Sequence, residues 1–139
     1  SNKKRVLFLC TGNSCRSQMA EAFLREVAGC EFQVHSAGTN PTRVNPMAVR
    51  AMAEVGIDIS THRSKPVDEM ISLQFDFVIT VCDLASEACP IFPGVARMLH
   101  WSFEDPAEAA GTQEQRLGVF LRVRDEIAAR VRSFASDAT

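Results

Sequence analysis

Val6, Leu7, Phe8 and Leu9 form a continuous apolar run that ends at Cys10, as expected of a short parallel strand buried on both faces. Thr11, Gly12, Asn13 and Ser14 break the run. From Ser17 the apolar residues Ala20, Phe23, Leu24 and Val27 recur at helical spacing up to a stop at Gly29. Phe32 and Val34 alternate with polar neighbours and predict a second short strand at a sheet edge. Asn45 and Pro46 open a second helix, a cap followed by proline at the first helical position. Its buried stripe is Ala48, Ala51, Met52 and Val55, and its end is Gly56. Residues 57–64 read as irregular, with Ser64 a candidate cap for a short helical turn through Val67, Met70 and Ile71. Residues 77–82, ending at Cys82, are the most strand-like run of the chain. Residues 83–94 carry Pro90 and Pro93 and resist regular structure. Residues 95–99 predict a fourth strand. Thr112 and Gln115 form a capping box ahead of a long final helix that sets Phe120, Val123, Ile127, Val131 and Phe134 on the core.

Strands alternating with helices predict an α/β domain: a four-stranded parallel sheet of flavodoxin-like order 2-1-3-4, in three layers with helices on both faces. Ligands of such sheets sit outside the carboxyl ends of the strands. Cys10, Cys82 and Asp105 all follow strand ends, so the fold is expected to gather them at one edge. The 139 residues, 46% of them hydrophobic, suffice for one core. A single domain over residues 3–139 is expected, with Ser1 and Asn2 an expression remnant outside it. A net charge of −2 without a basic stripe argues against nucleic-acid and membrane-surface partners. No stretch approaches a membrane span or signal sequence, so a cytoplasmic monomer is the expectation.

The chemistry concentrates in the loop after the first strand. The first N–H groups of a helix lack internal partners and the helix dipole adds positive charge, so a small polar strand-to-helix loop can cradle a tetrahedral oxyanion. Thr11, Gly12, Asn13, Ser14, Cys15 and Arg16 form that loop, and Arg16 adds a fork of donors. The same field holds a cysteine at its mouth as thiolate, which makes Cys10 a candidate nucleophile. A bare Cys-x5-Arg occurs by chance, but the strand, the polar loop and the helix around it favour the functional reading. Ser17 can donate to the Cys10 sulfur or simply cap the helix.

Five cysteines, at positions 10, 15, 30, 82 and 89, argue against a disulfide framework, and their spacing holds no zinc pair. In a regular helix Cys82 and Cys89 would lie about 10 Å apart, beyond the roughly 4.4–6.8 Å of a disulfide. They can be joined only across a looped or unfolding segment, so a mobile redox segment is expected there. Asp105, in a loop past the fourth strand, can serve as general acid toward a departing oxygen, with Glu104 the neighbouring candidate; an Asp-Pro pair can equally be a plain turn. His35, His62 and His100 read as ordinary residues, and Cys15 and Cys30 as bystanders.

The segments CTGNSCRSQMAE at 10–21, SAG at 36–38, VNP at 44–46, IDIS at 57–60, VCDLASEACP at 81–90, HWSFEDPA at 100–107 and VRDEI at 123–127 resemble the thioredoxin-coupled arsenate reductases. That family shares its fold and anion loop with the low-molecular-weight protein tyrosine phosphatases. The resemblance implies that Cys10 attacks arsenate held by the loop and Arg16, with Ser17 supporting the thiolate and Asp105 protonating the departing oxygen. Cys82 then attacks Cys10 and expels arsenite, and Cys89 attacks Cys82. The Cys82–Cys89 disulfide passes to thioredoxin, with glutaredoxin and glutathione the alternative donors. Phosphate and sulfate are expected analogues, weak phosphatase activity is expected, and no cofactor is implied. Asn13, Glu21 and Ser36 match positions that bind potassium in some members, but Lys65 stands where those members carry an aspartate, and its ammonium is expected to replace the ion. The rival readings are a tyrosine phosphatase using Cys10 and Asp105, and a non-catalytic redox switch.

Overall fold

The computed structural model describes residues 3–83, 92, 94 and 97–138. Strand β1 (Lys4–Cys10) leads into α1 (Arg16–Ala28), then β2 (Phe32–Gly38), α2 (Pro46–Ala53), β3 (Phe77–Thr80), β4 (Arg97–His100) and α3 (Gln113–Ala138). The four strands are all parallel, in the order β2-β1-β3-β4. This is the expected topology, with β2 on an edge.

Alternation along β1 decides what each sheet face buries. Val6 and Phe8 join α1, α2 and α3 in the main core, while Leu7 and Leu9 join Ala37, Met70, Phe75, Val78 and Phe92 in a smaller one. All three α-helices contribute to the first cluster. Among the described residues the second face is covered by the 3₁₀ turn Val67–Met70 and its flanks. Phe134 of α3 packs edge-on against Phe77 at 5.1 Å and against Trp101 at 5.8 Å between centroids, tying the final helix to the sheet. Such ring pairs add about 0.5–1.5 kcal/mol each beyond their burial.

The helix signals work as their chemistry requires. The Asn45 side chain accepts from Met47 N–H at 2.8 Å, and Pro46 stands at the first turn. Gln115 N–H donates to Thr112 Oγ1 at 3.1 Å while Thr112 N–H donates to Gln115 Oε1 at 2.9 Å, a reciprocal capping box. Four expectations need correction. Val27 and Val55 are exposed: Val27 sits in an exposed stretch of the last turn of α1, and α2 ends at Ala53 rather than at Gly56, so Val55 falls in the turn beyond the helix. Ser64 caps nothing; Pro66 precedes the 3₁₀ turn and the Ser64 hydroxyl is used elsewhere. β3 stops at Thr80 because β1 turns away into its loop at Cys10, leaving the Val81 N–H bond to Leu9 O at 3.0 Å as the last rung. β4 extends to His100, one residue beyond the expected end, while positions 95 and 96 lie outside the described residues.

Candidate active site

The loop from Thr11 to Cys15 is shaped by what its carbonyls bond to. Cys10 O, Thr11 O, Gly12 O and Ser14 O accept from the backbone N–H groups of Thr39, Asn40, Thr42 and Asn45 at 2.9–3.3 Å. Asn13 O accepts from Ser64 Oγ at 2.7 Å and Gln18 Nε2 at 3.2 Å, and Cys15 O accepts from Met19 N–H at 2.9 Å inside α1. The loop's carbonyls are taken by groups outside it while the Asn13 N–H turns onto the Cys10 sulfur, as in the concave backbone arrangements that bind tetrahedral anions. Asn13 holds φ +48°, a left-handed value that asparagine tolerates better than most residues.

Gly38 is what lets the loop lie against β2. A methyl group there would stand 2.5 Å from Thr11 O and 2.9 Å from Asn13 N. Any side chain at this position must push the loop away.

Cys10 is buried at the end of β1, where its sulfur lies 2.8 Å from Ser17 Oγ and accepts from Asn13 N–H at 3.3 Å. Arg16, also buried, donates to Phe103 O at 3.1 Å and places its second nitrogen 3.7 Å from Asp105 Oδ2. Asp105 Oδ1 accepts from Ala107 N–H at 3.0 Å, so one carboxylate oxygen is tethered and the other faces Arg16. Asp105 and the loop line one cleft of about 930 Å³, to which Thr39, Asn40 and Thr42 also contribute. Glu104 pairs with Arg122 at the surface and does not line the cleft. The cleft therefore holds a thiol, an oxyanion cradle, a guanidinium and a carboxyl group. That is the equipment for nucleophilic attack on a tetrahedral oxyanion with proton transfer to the departing oxygen.

A model of the family described as low molecular weight phosphotyrosine protein phosphatase matches residues 5–139. The chain belongs to this family. Among its relatives is an arsenate reductase of Halalkalibacterium halodurans, 50% identical over 134 residues that span 96% of each chain. A solved structure described as an arsenate reductase in the phosphate-binding state superposes with a TM-score of 0.83 at 35% identity, over 98% of this chain and 99% of that one. A thioredoxin-dependent arsenate reductase of Corynebacterium glutamicum superposes at 0.73 with 31% identity, covering 99% of this chain and 62% of the other.

Within this family member, Cys10, Thr11, Gly12, Ser14, Cys15, Arg16 and Asp105 line one cleft, and Ser17, held by Asn13, contacts the Cys10 sulfur. Cys82 is fully buried, two residues past the end of β3, the strand beside β1. Cys89 and most of the expected redox segment lie outside the described residues. Cys15 is a bystander for a physical reason: burial pushes its thiol up to about 12, so it stays protonated at neutral pH. Cys30 is exposed on the far side of α1.

At the expected cation position, Lys65 Nζ stands 3.8 Å from Glu21 Oε1 and 3.5 Å from Ser36 Oγ, and donates to Arg63 O at 3.0 Å. Burial lowers its pKa, opposed by the Glu21 carboxylate. The Ser36 hydroxyl donates to Glu21 Oε1, and Asn13 Oδ1 already accepts from Lys65 N–H at 2.9 Å and Gln18 Nε2 at 3.0 Å. These oxygens are spoken for, and the donor set does not suit an added monovalent cation. Sequence reasoning missed Gln18, His62, Ser64 and Gly38 as supports of the loop. Gln18 carried a signal, a polar side chain on the apolar face of α1, but nothing local names its partners.

Proposed function

We propose that this chain reduces arsenate to arsenite in arsenic detoxification. The observation that carries the reading is the convergence of Cys10, the anion-cradling loop, Arg16 and Asp105 in one cleft, with Cys82 at the neighbouring strand end. The Cys10 thiolate displaces one oxygen of arsenate, forming a sulfur–arsenic bond, and Asp105 gives that oxygen the proton with which it leaves as water. The Cys82 thiolate then attacks the Cys10 sulfur. The sulfur–arsenic bond breaks with its electron pair on arsenic, which departs as arsenite, and a Cys10–Cys82 disulfide remains. Cys89 attacks Cys82, releasing Cys10 and leaving a Cys82–Cys89 disulfide for an external dithiol to reduce. Thioredoxin is the donor favoured by the Corynebacterium relative. Ser17 steadies the thiolate, and the Lys65 ammonium beside Glu21 takes the place of a bound potassium ion.

The test is NADPH consumption with arsenate, thioredoxin and thioredoxin reductase, comparing the intact chain with Cys89→Ser while para-nitrophenyl phosphate turnover is followed in parallel. Sustained arsenate-dependent oxidation in the parent, limited to about one turnover in the variant, is the expected result. Phosphatase turnover indifferent to Cys89, with no arsenate-dependent oxidation from any thiol donor, would make the chain a phosphatase of the same family.

A further inference from the structure

Behind Cys10 runs a chain of side-chain hydrogen bonds of which the reaction above uses only the last link, from Ser17. His62 Nδ1 lies 3.1 Å from Gln18 Oε1, Gln18 Nε2 lies 3.0 Å from Asn13 Oδ1, Asn13 Nδ2 lies 2.8 Å from Ser17 Oγ, and Ser17 Oγ lies 2.8 Å from Cys10 Sγ. Gln18 is completely buried although glutamine seldom is, and so are Asn13 and Ser17.

Donor accounting gives a direction to every link but the last. Gln18 Nε2 faces three acceptors, Asn13 O at 3.2 Å, Asn13 Oδ1 at 3.0 Å and Arg63 O at 2.9 Å, so that end must be the NH₂ group. Its oxygen is then left toward His62, and an amide oxygen only accepts, so His62 must carry its hydrogen on Nδ1. Asn13 Oδ1 receives the backbone N–H of Lys65 at 2.9 Å as well as Gln18, which fixes the Asn13 amide with its NH₂ toward Ser17. A hydroxyl has one hydrogen. With Asn13 donating to one lone pair of Ser17 Oγ, that hydrogen is left available for the Cys10 sulfur, 2.8 Å away.

We propose that Gln18 is a positioning residue for the nucleophile: held in place by His62 and Arg63, it orients the Asn13 amide so that the Ser17 hydroxyl donates to Cys10 Sγ rather than accepting from it. Each donor in the series points toward the sulfur, and bonds aligned in this way polarise one another. A hydroxyl held as donor stabilises the negative charge that an attacking sulfur carries. The same side chain pins the left-handed Asn13 through its carbonyl and links α1 to the 63–65 segment. Gln18 touches neither the cleft nor any substrate. The proposal rests on Cys10 being the nucleophile but not on which oxyanion it attacks.

Two measurements without arsenate test it. The first is the imidazole ¹⁵N spectrum of the intact protein at pH 8, with His62 assigned from a His62→Gln sample. The expected signature is a neutral ring protonated at Nδ1, the tautomer less favoured by free imidazole, and an Nε2–H ring would overturn the proposal. The second is alkylation of Cys10 by iodoacetamide at pH 7, followed by peptide mass spectrometry in a buffer without phosphate or sulfate. Gln18→Met, of similar volume but without donors, is expected to slow Cys10 alkylation about fivefold with Cys30 unchanged. A Gln18→Met protein that melts lower yet alkylates Cys10 at the parent rate would reduce Gln18 to a structural part and overturn the proposal. If Gln18→Met does not fold, the His62 tautomer in the intact chain decides.

Discussion

Replacing Gly38 by alanine puts a methyl group between β2 and the anion loop, and its cost follows from two distances. The added carbon would sit 2.5 Å from Thr11 O and 2.9 Å from Asn13 N, both backbone atoms, whereas close carbon–oxygen contacts lie at about 3.3 Å or more. The loop must therefore retreat by about 0.8 Å. Neither neighbour is free to move: Thr11 O accepts from Asn40 N–H at 2.9 Å, and Asn13 N–H donates to Cys10 Sγ at 3.3 Å. Overpacking of this kind costs about 1–3 kcal/mol, which for a chain of this size lowers Tm by about 4–12 °C. Gly118→Ala is the matched control, since a methyl group there meets nothing within 4 Å on the exposed side of α3. It should raise stability by about 0.5–1 kcal/mol by removing backbone freedom from the unfolded chain. The assay is thermal unfolding by circular dichroism, with and without inorganic phosphate, whose binding in the cleft is expected to raise Tm by stabilising the folded chain. Gly38→Ala should lose both stability and most of the phosphate increment, while Gly118→Ala keeps the increment. A Gly38→Ala protein melting within about 1 °C of the parent, with its phosphate increment intact, would refute the argument that the loop is packed against β2.

Asp105→Asn keeps the bond from Ala107 N–H but cannot supply a proton, so kcat with arsenate should fall about 10²–10⁴-fold while Tm barely moves; an unchanged kcat would remove Asp105 from the proton transfer. Exchanging sodium for potassium should alter neither activity nor Tm, because the Lys65 ammonium occupies the position beside Glu21. A clear rise in either quantity with potassium would show that the ammonium does not replace the ion. His35 and His62 both have pKa values lowered from 6.5, chiefly by burial. The unfolded chain then binds more protons below pH 6.5, so stability falls as pH drops through that range. Tm measured from pH 7.5 to 5 should decline, and His62→Gln should flatten part of that decline.

The strands, helices and sheet order were legible because the signals are local: apolar runs at β1 and β3, Pro46 behind its Asn45 cap, the reciprocal box at Thr112 and Gln115. The cleft was legible for a topological reason, since a parallel sheet brings the ends of β1, β3 and β4 to one edge. Val27 misled because helical spacing marks a stripe without saying how far the core extends along it, and Val55 because it continues the spacing past the end of α2 at Ala53. Ser64 misled because a hydroxyl ahead of a helical turn has the chemistry of a cap, and its real acceptor, Asn13 O, is 51 positions earlier. His62 read as ordinary for the same reason, its partner Gln18 being 44 positions away. Residues that hold the loop from afar leave no periodic trace.

The bonds from Ser64 Oγ and Lys65 N–H to Asn13 also bear on when the reactive centre comes into being. The strand, loop and helix that carry Cys10 are synthesised ahead of two supports of Asn13 that lie 51 and 52 positions downstream of it. Contacts at such separation form only after the intervening loop has been closed at an entropic cost, which delays them relative to local structure. A nascent chain that has not yet exposed residue 65 holds Cys10 beside a loop without these two braces. Reactivity thus arrives with the completed tertiary structure, and half-made chains are spared a premature nucleophile.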